Sequence, residues 1–302
     1  MQGPDAADFL HRLTTVNVKG MKPGDGAPGF FLSPQGKIRG FFTLWLLNKS
    51  SEKSDFVLEF DAGQAGKWKT ELLAVIDQFT FAEKFTLTEV TDLQCVWIFD
   101  QATSETSHSD SNSEMLKTSV DSSGARLFHH GSADFGRSWT SAWGTSEQLK
   151  KLLVADSSSD PLGNTPYTQL EQWRIHSARP ALDHELSENS NPLEVGLHEA
   201  IAGNKGCYPG QEVIEKIISL GSPARRLVKI VGQGSAPKVG ELIQTTDAAH
   251  TEVGQVTSVA QTGQGFELLT LVRKNHAKEG LEVTFAANPE TRAKLVQIAP
   301  YN

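Results

Sequence analysis

Beyond Gly221-Ser222-Pro223 the chain breaks into six short apolar runs: Leu227 to Val231, Glu241 to Gln244, Val253 to Val259, Phe266 to Leu271, Leu281 to Phe285 and Lys294 to Ile298. Glycines and polar turns separate them. Runs of that length and spacing predict a small all-β barrel or sandwich over residues 223–302. Gly232-Gln233-Gly234 and Gly263-Gln264-Gly265 precede no helical segment, so they read as β-turns and not as dinucleotide-binding loops.

Residues 1–220 follow a different pattern. Ala6, Ala7, Phe9, Leu10 and Leu13 recur at helical spacing behind Asp5, a candidate N-cap. Pro28-Gly29 and Pro34-Gln35-Gly36-Lys37 are turn signals around Phe30-Phe31-Leu32. Ile38 to Leu47 and Phe56 to Phe60 read as strands, and Gln64 to Phe79 reads as a helix. Phe85 to Val90 and Cys95 to Phe99 read as further strands. Thr103 to Ser113 and Asp156 to Gly163 are loops too poor in apolar residues to pack. Strands and helices mix without a regular βαβ repeat, which predicts an α+β class.

Composition narrows the function. The 302 residues carry 28 Lys and Arg against 36 Asp and Glu, a net charge of −8. Residues 223–302 hold nine basic and seven acidic side chains, a net +2, which leaves −10 for the remainder. An acidic chain is a poor binder of phosphate backbones, so no direct nucleic-acid contact is expected. The two cysteines, Cys95 and Cys207, exclude a disulfide scaffold and any site of four cysteines. Cys95 sits in an apolar run and is expected in the core. Adjacent His129 and His130 would point to opposite faces of a strand, so no metal site is expected there. The apolar run Phe41 to Leu47 is far short of the roughly 20 residues of a membrane helix. The first residues lack the basic and apolar regions of a signal peptide. A cytoplasmic protein without a membrane partner is the expectation.

The densest motif is Asn204-Lys205-Gly206-Cys207-Tyr208-Pro209-Gly210-Gln211-Glu212. Gly206 and Gly210 permit backbone angles that side chains forbid. Lys205, two positions before the thiol, is placed to raise the thiolate fraction, and a helix opening at Gln211 and Glu212 would act in the same direction. Cys207 and Lys205 are therefore the candidate catalytic residues, with Gly206, Tyr208, Gly210, Gln211 and Glu212 shaping the loop.

Lys205 to Glu212 resembles the Lys-Gly-Cys-aromatic-x-Gly-Gln-Glu signature of the YgfZ family, folate-binding relatives of the glycine-cleavage T-protein (aminomethyltransferase, GcvT). Gly3-Pro4-Asp5-Ala6-Ala7-Asp8-Phe9-Leu10, Thr14-Thr15-Val16-Asn17 and Pro34-Gln35-Gly36-Lys37-Ile38 are similar to earlier parts of the family pattern. Gly221 and Arg225 fit the Gly-x-x-x-Arg that follows the cysteine. The resemblance implies a T-protein-like folate-binding region over 1–220, built around a central pocket, and a C-terminal antiparallel β-barrel over 223–302. It implies tetrahydrofolate as cofactor. It also implies a role in assembling or repairing iron–sulfur proteins, including enzymes that modify transfer RNA, with assembly or client proteins as partners. Cys207 would be the working thiol, and Arg225 would place positive charge near a folate tail or a partner.

Two departures separate this chain from true T-proteins. Gly40 and Phe41 stand where the resemblance places two aspartates, so no carboxylate is available there to support an iminium-like centre. In Trp173-Arg174-Ile175-His176-Ser177-Ala178, His176 occupies the place of the glutamate that bonds the pterin. A neutral imidazole accepts one hydrogen bond where a carboxylate accepts two from an amino-pyrimidine edge. Glu185 and Asp183 are candidate substitutes. Arg174, His176, Glu185, Trp45 and Trp173 are the candidate folate contacts. Two alternatives stand beside the iron–sulfur reading: a tetrahydrofolate-dependent one-carbon transferase, and a non-catalytic module that binds folate or a partner.

Overall fold

The computed structural model describes residues 1–61, 66–99, 116–131, 136, 138–155 and 166–300. The predicted loops Thr103 to Ser113 and Asp156 to Gly163 lie outside these residues. The rest is α+β, with two sheets of different design.

The first sheet orders its strands β1-β4-β3-β2-β6-β7-β8-β5. These are β1 (Gln2–Gly3), β2 (Asp25–Leu32), β3 (Ile38–Lys49), β4 (Ser54–Glu59), β5 (Gln94–Phe99), β6 (Leu116–Val120), β7 (Arg126–His130) and β8 (Trp139–Gly144). Successive residues of a strand face opposite ways. Phe31 accordingly packs with α1 (Ala6–Leu13) and α2 (Lys67–Phe79), while Phe30 joins Trp68, Leu193, Leu197, Tyr208 and Ile214 on the other side. Both faces are covered, which explains why Phe42, Leu44, Trp45 and Leu46 are all buried despite their alternation.

The second sheet is a closed six-stranded barrel, ordered β10-β11-β12-β9-β14-β13. Its strands are β9 (Arg225–Gly232), β10 (Leu242–Thr245), β11 (Glu252–Thr262), β12 (Gly265–Arg273), β13 (Glu282–Phe285) and β14 (Asn288–Ile298). All six predicted runs became strands, every pairing is antiparallel, and closure removes the exposed edges that short strands would otherwise present. Phe266 and Phe285 fill its interior with aliphatic neighbours. Three further helices connect the two bodies: α3 (Ser146–Ala155), α4 (Tyr167–His176) and α5 (Gln211–Ser219). Among the described residues no helix is long and apolar enough to cross a membrane.

Three local expectations are corrected. Phe85 to Val90 forms no strand; only Thr86 makes an isolated bridge, to Gln2. Asp5 precedes α1 but does not cap it through its side chain; its carboxylate accepts the Lys84 N–H at 2.7 Å instead. Cys95 is exposed and not in the core, because β5 ends the sheet order and only β8 covers it.

Candidate functional site: the Cys207 loop and the α4 cleft

The signature segment is pinned on both sides of its thiol. Tyr208 is buried beside Phe30, Ile38 and Ile214. Lys205 lies over the Tyr208 ring, 4.9 Å from its centroid, and donates to the His11 carbonyl at 2.5 Å and to the Thr14 carbonyl. These carbonyls belong to the C-terminal end of α1, where a cation complements the helix dipole. Burial pulls the Lys205 amine down to about 8. Between the two anchors Gly206 and Cys207 remain exposed. The loop therefore presents the sulfur at the surface while fixing the backbone beneath it.

Gly210 completes the loop. Its φ is +82°, and a β-carbon there would stand 2.5 Å from the Ser33 carbonyl oxygen and 2.9 Å from Gly36 Cα. The Pro34-Gln35-Gly36 turn and the signature loop thus pack backbone on backbone, which only glycine allows. Gly206 does not adopt a left-handed conformation, so one of the two loop glycines uses the freedom expected of both. Gln211 then opens α5, giving its Nε2 to Glu215 at 2.6 Å while its Oε1 is buried without a partner. Glu212 is exposed. Arg225 grips both oxygens of buried Glu194 (3.1 and 2.9 Å) and the Asn189 carbonyl (2.9 Å), tying β9 to the segment before the loop. Its charge is used inside the fold.

The candidate folate contacts separate into three places. Arg174 and Glu185 form a buried pair at 3.3 Å. Glu185 also accepts from Thr257, Ser258 and the Ala181 N–H, while Arg174 reaches Glu171, Ser258 and the Arg179 carbonyl. Glu185 thus has four donors on its two oxygens and fastens the end of α4 to β11. Asp183 accepts the Trp68 indole N–H at 2.9 Å.

Trp45 lies in the first sheet and gives its indole N–H to Glu59 at 3.0 Å. Glu59 also accepts from Ser141 (2.5 Å) and Trp143 (3.0 Å) and lies 3.3 Å from His130 Nε2. Burial pushes this carboxyl up, but the bonds from His130, Ser141 and Trp143 outweigh it and hold the group below its usual range. Rings run on from there: Trp45 to His130 (5.2 Å), His130 stacked on Trp139 (3.7 Å), Trp139 to Phe99 (6.2 Å) and Phe99 to Trp173 (5.5 Å). His129 points away from this ladder, to Ser119 and Thr140.

Trp173 and His176 are brought together. With Gln172, Gln261, Thr262 and Glu267 they line a cleft of about 290 Å³ between α4 and the β11–β12 hairpin. The carboxylate of Glu267 lies 3.1 Å from His176 Nδ1. Sequence reasoning looked for a replacement carboxylate near position 176 and missed Glu267, which comes from the barrel 91 residues later. No spacing rule reaches across that separation. His11, which underlies Gly206, was missed as well. Among the described residues no group of three or more His, Cys, Asp or Glu could hold a metal ion.

No protein-family model matches the chain. A chloroplastic protein of Arabidopsis thaliana, named as a candidate transferase, is 26% identical over the whole of this chain and 68% of its own length. The tRNA-modifying protein YgfZ of Buchnera aphidicola is 34% identical over 96 residues, 30% of each chain. An aminomethyltransferase of Acidobacterium capsulatum is 31% identical over 87 residues, which are 28% of this chain and 22% of the enzyme. The glycine cleavage system aminomethyltransferase T of Bartonella henselae superposes with a TM-score of 0.72 at 15% identity, covering all of this chain and 82% of that one, so the two share a fold.

Proposed function

Similarity to proteins named YgfZ and aminomethyltransferase, over a shared fold, supports a YgfZ/aminomethyltransferase-like family for this chain, and on that premise we propose that it is a folate-binding accessory protein serving iron–sulfur enzymes through Cys207. The observation that carries the reading is the loop itself. Lys205 and Tyr208 are anchored inward, Gly210 locks the far side, and the only cysteine of the motif faces solvent. A core cysteine would need no such mounting.

The folate part rests on the α4 cleft. Its volume is near the lower end of ligand pockets, ~300 Å³, which suits a bicyclic head group with its tail outside. Trp173 would stack on the ring, and Glu267 would accept from the amino-pyrimidine edge in place of the glutamate that His176 replaces. Bound there, tetrahydrofolate would supply a one-carbon carrier. Aminomethyl transfer is the weaker reading, because Gly40 and Phe41 leave its aspartate position without a carboxylate.

Replacing Cys207 with serine tests the main claim in a strain lacking the native protein. The variant should fold and fail to support iron–sulfur enzyme activity; full support would sink the thiol mechanism. Calorimetric titration with tetrahydrofolate tests the cleft. The reduced protein should bind saturably, Glu267→Gln and Trp173→Ala should weaken binding, and His176→Glu should strengthen it. Unchanged affinity in all three variants would move folate out of this cleft.

A further inference from the structure

The α4 cleft continues into a second groove on the barrel, and strand register places the two side by side. Glu267 of β12, a wall of the cleft, pairs with Val231 of β9. Val231 pairs in turn with Lys294 of β14, and Lys294 with Glu282 of β13. Directly opposed residues share one face of a sheet. Their chain neighbours Phe266, Ala293 and Val283 fill the barrel core, so this row of four stands on the outside. α4 covers that outer face only as far as its last residue, His176, whose carbonyl accepts from Lys229 at 2.6 Å. Val231 comes two residues later, where the cover ends. There Val231, Glu282, Glu290, Arg292 and Lys294 line a groove of about 760 Å³. Two strand spacings, roughly 10 Å, separate Glu267 from Lys294.

The charges of this groove are unspent. Arg292 precedes Lys294 by two residues and shares its face; both are exposed. Among the described residues neither cation makes an ion pair, and neither do Glu282 and Glu290, although Glu282 lies directly across from Lys294. The cation expected beside a folate tail behaves in the opposite way: Arg225 is committed to Glu194 inside the fold.

We infer that the groove takes the γ-linked glutamate tail of a folate whose head group lies in the α4 cleft. The inference rests on the reading of that cleft as the pteridine site. A γ-glutamyl chain presents one carboxylate and one amide N–H per residue. Lys294 and Arg292 meet the carboxylates, and Glu282 and Glu290 accept from the amides between them. A groove of both signs fits that alternation, whereas a purely basic one would take any polyanion.

Three probes test the inference in calorimetric titrations at low salt: tetrahydropteroate, which has no glutamate, tetrahydrofolate, which has one, and the triglutamyl form. In the wild type the affinity should climb about tenfold from first to last, the scale of two or three exposed ion pairs. Added salt should flatten the climb. The double variant Arg292→Gln, Lys294→Gln should bind tetrahydropteroate as the wild type does and lose the climb. Both side chains are exposed, so its melting temperature should match the wild type. Equal affinity for the three probes in the wild type, or a climb retained in the double variant, overturns the inference and leaves the cleft reading in place. A triglutamyl form that binds through Lys294 and Arg292 while tetrahydropteroate does not bind keeps the groove and removes the pteridine from the cleft. Binding of none of the three removes both.

Discussion

Two kinds of buried polar group occupy this molecule. Glu59 and Glu185 each sit among several donors, drawn from different strands and helices, that leave their oxygens matched. Around the signature loop the accounting is incomplete: His11 Nδ1 and Gln211 Oε1 are buried without partners. Matched networks hold elements together, and substituting them should cost stability. Unmatched atoms add no such tie, so substituting them should cost little.

The largest effect should come from breaking a matched network. Arg174→Met leaves Glu185, which has no exposed surface, as an uncompensated buried charge. The expected loss is about 3–5 kcal/mol in urea unfolding. A loss under ~1 kcal/mol would erase the distinction between the two kinds of site. Replacing Arg174 and Glu185 together by apolar residues should recover much of the loss, since the pair itself contributes little beyond its own desolvation.

The next effects are smaller. Glu59→Gln turns one of the two oxygens that accept from Trp45, Trp143 and Ser141 into an N–H donor, removes the charge beside His130, and should cost about 1–3 kcal/mol. It should also change the acid limb. The folded Glu59 carboxyl is held below its unfolded range, so its contribution is present above that range and is lost as pH falls through the folded value. The variant should lack that part of the acid sensitivity; identical acid limbs would count against the network. Gly210→Ala should cost a similar 1–3 kcal/mol, because the alanine must hold a positive φ and push Ser33 away. A neutral result there would mean that the signature loop is not packed on the Pro34 turn.

The barrel was legible in the sequence because its information is local. Each run is short and each turn carries glycine or polar residues; the residues alone left barrel and sandwich open, and the structure closes the six strands into a barrel. The first sheet was harder to read. Phe85 to Val90 has strand composition but lacks a partner along its length, and Cys95 looked like a core residue because nothing in its run reveals that β5 lies at an edge. The cysteine loop was legible as a motif, and its anchors were not. Lys205 was read as a neighbour of the thiol, whereas its amine is fixed to α1, 194 residues earlier. His11 falls outside the apolar stripe of α1, so periodicity predicts exposure; Lys205, arriving from the far end of the region, closes over that end of the helix. Glu267 escaped for the same reason. Partners fixed by tertiary contact leave no periodic trace.

The smallest expected effect on stability is the most informative about chemistry. Cys95 and Cys207 are both exposed, and serine at either position should change unfolding by no more than about 0.5 kcal/mol. Their reactivities should differ sharply. Desolvation and the nearby Glu59 carboxylate push the Cys95 thiol up to about 12, against a hydrogen bond from Trp97, so almost none of it is thiolate at pH 7. Cys207 stands at the surface of its loop, between the inward-anchored Lys205 and Tyr208. Alkylation with iodoacetamide at pH 7, read by peptide mass spectrometry, should label Cys207 well before Cys95. In Glu59→Gln the gap should narrow, because one of the two causes that silence Cys95 is gone, while Cys207 should be unaffected. Equal labelling of the two thiols in the wild type would mean that exposure alone sets reactivity here, and the loop would lose its claim to be more than a surface turn.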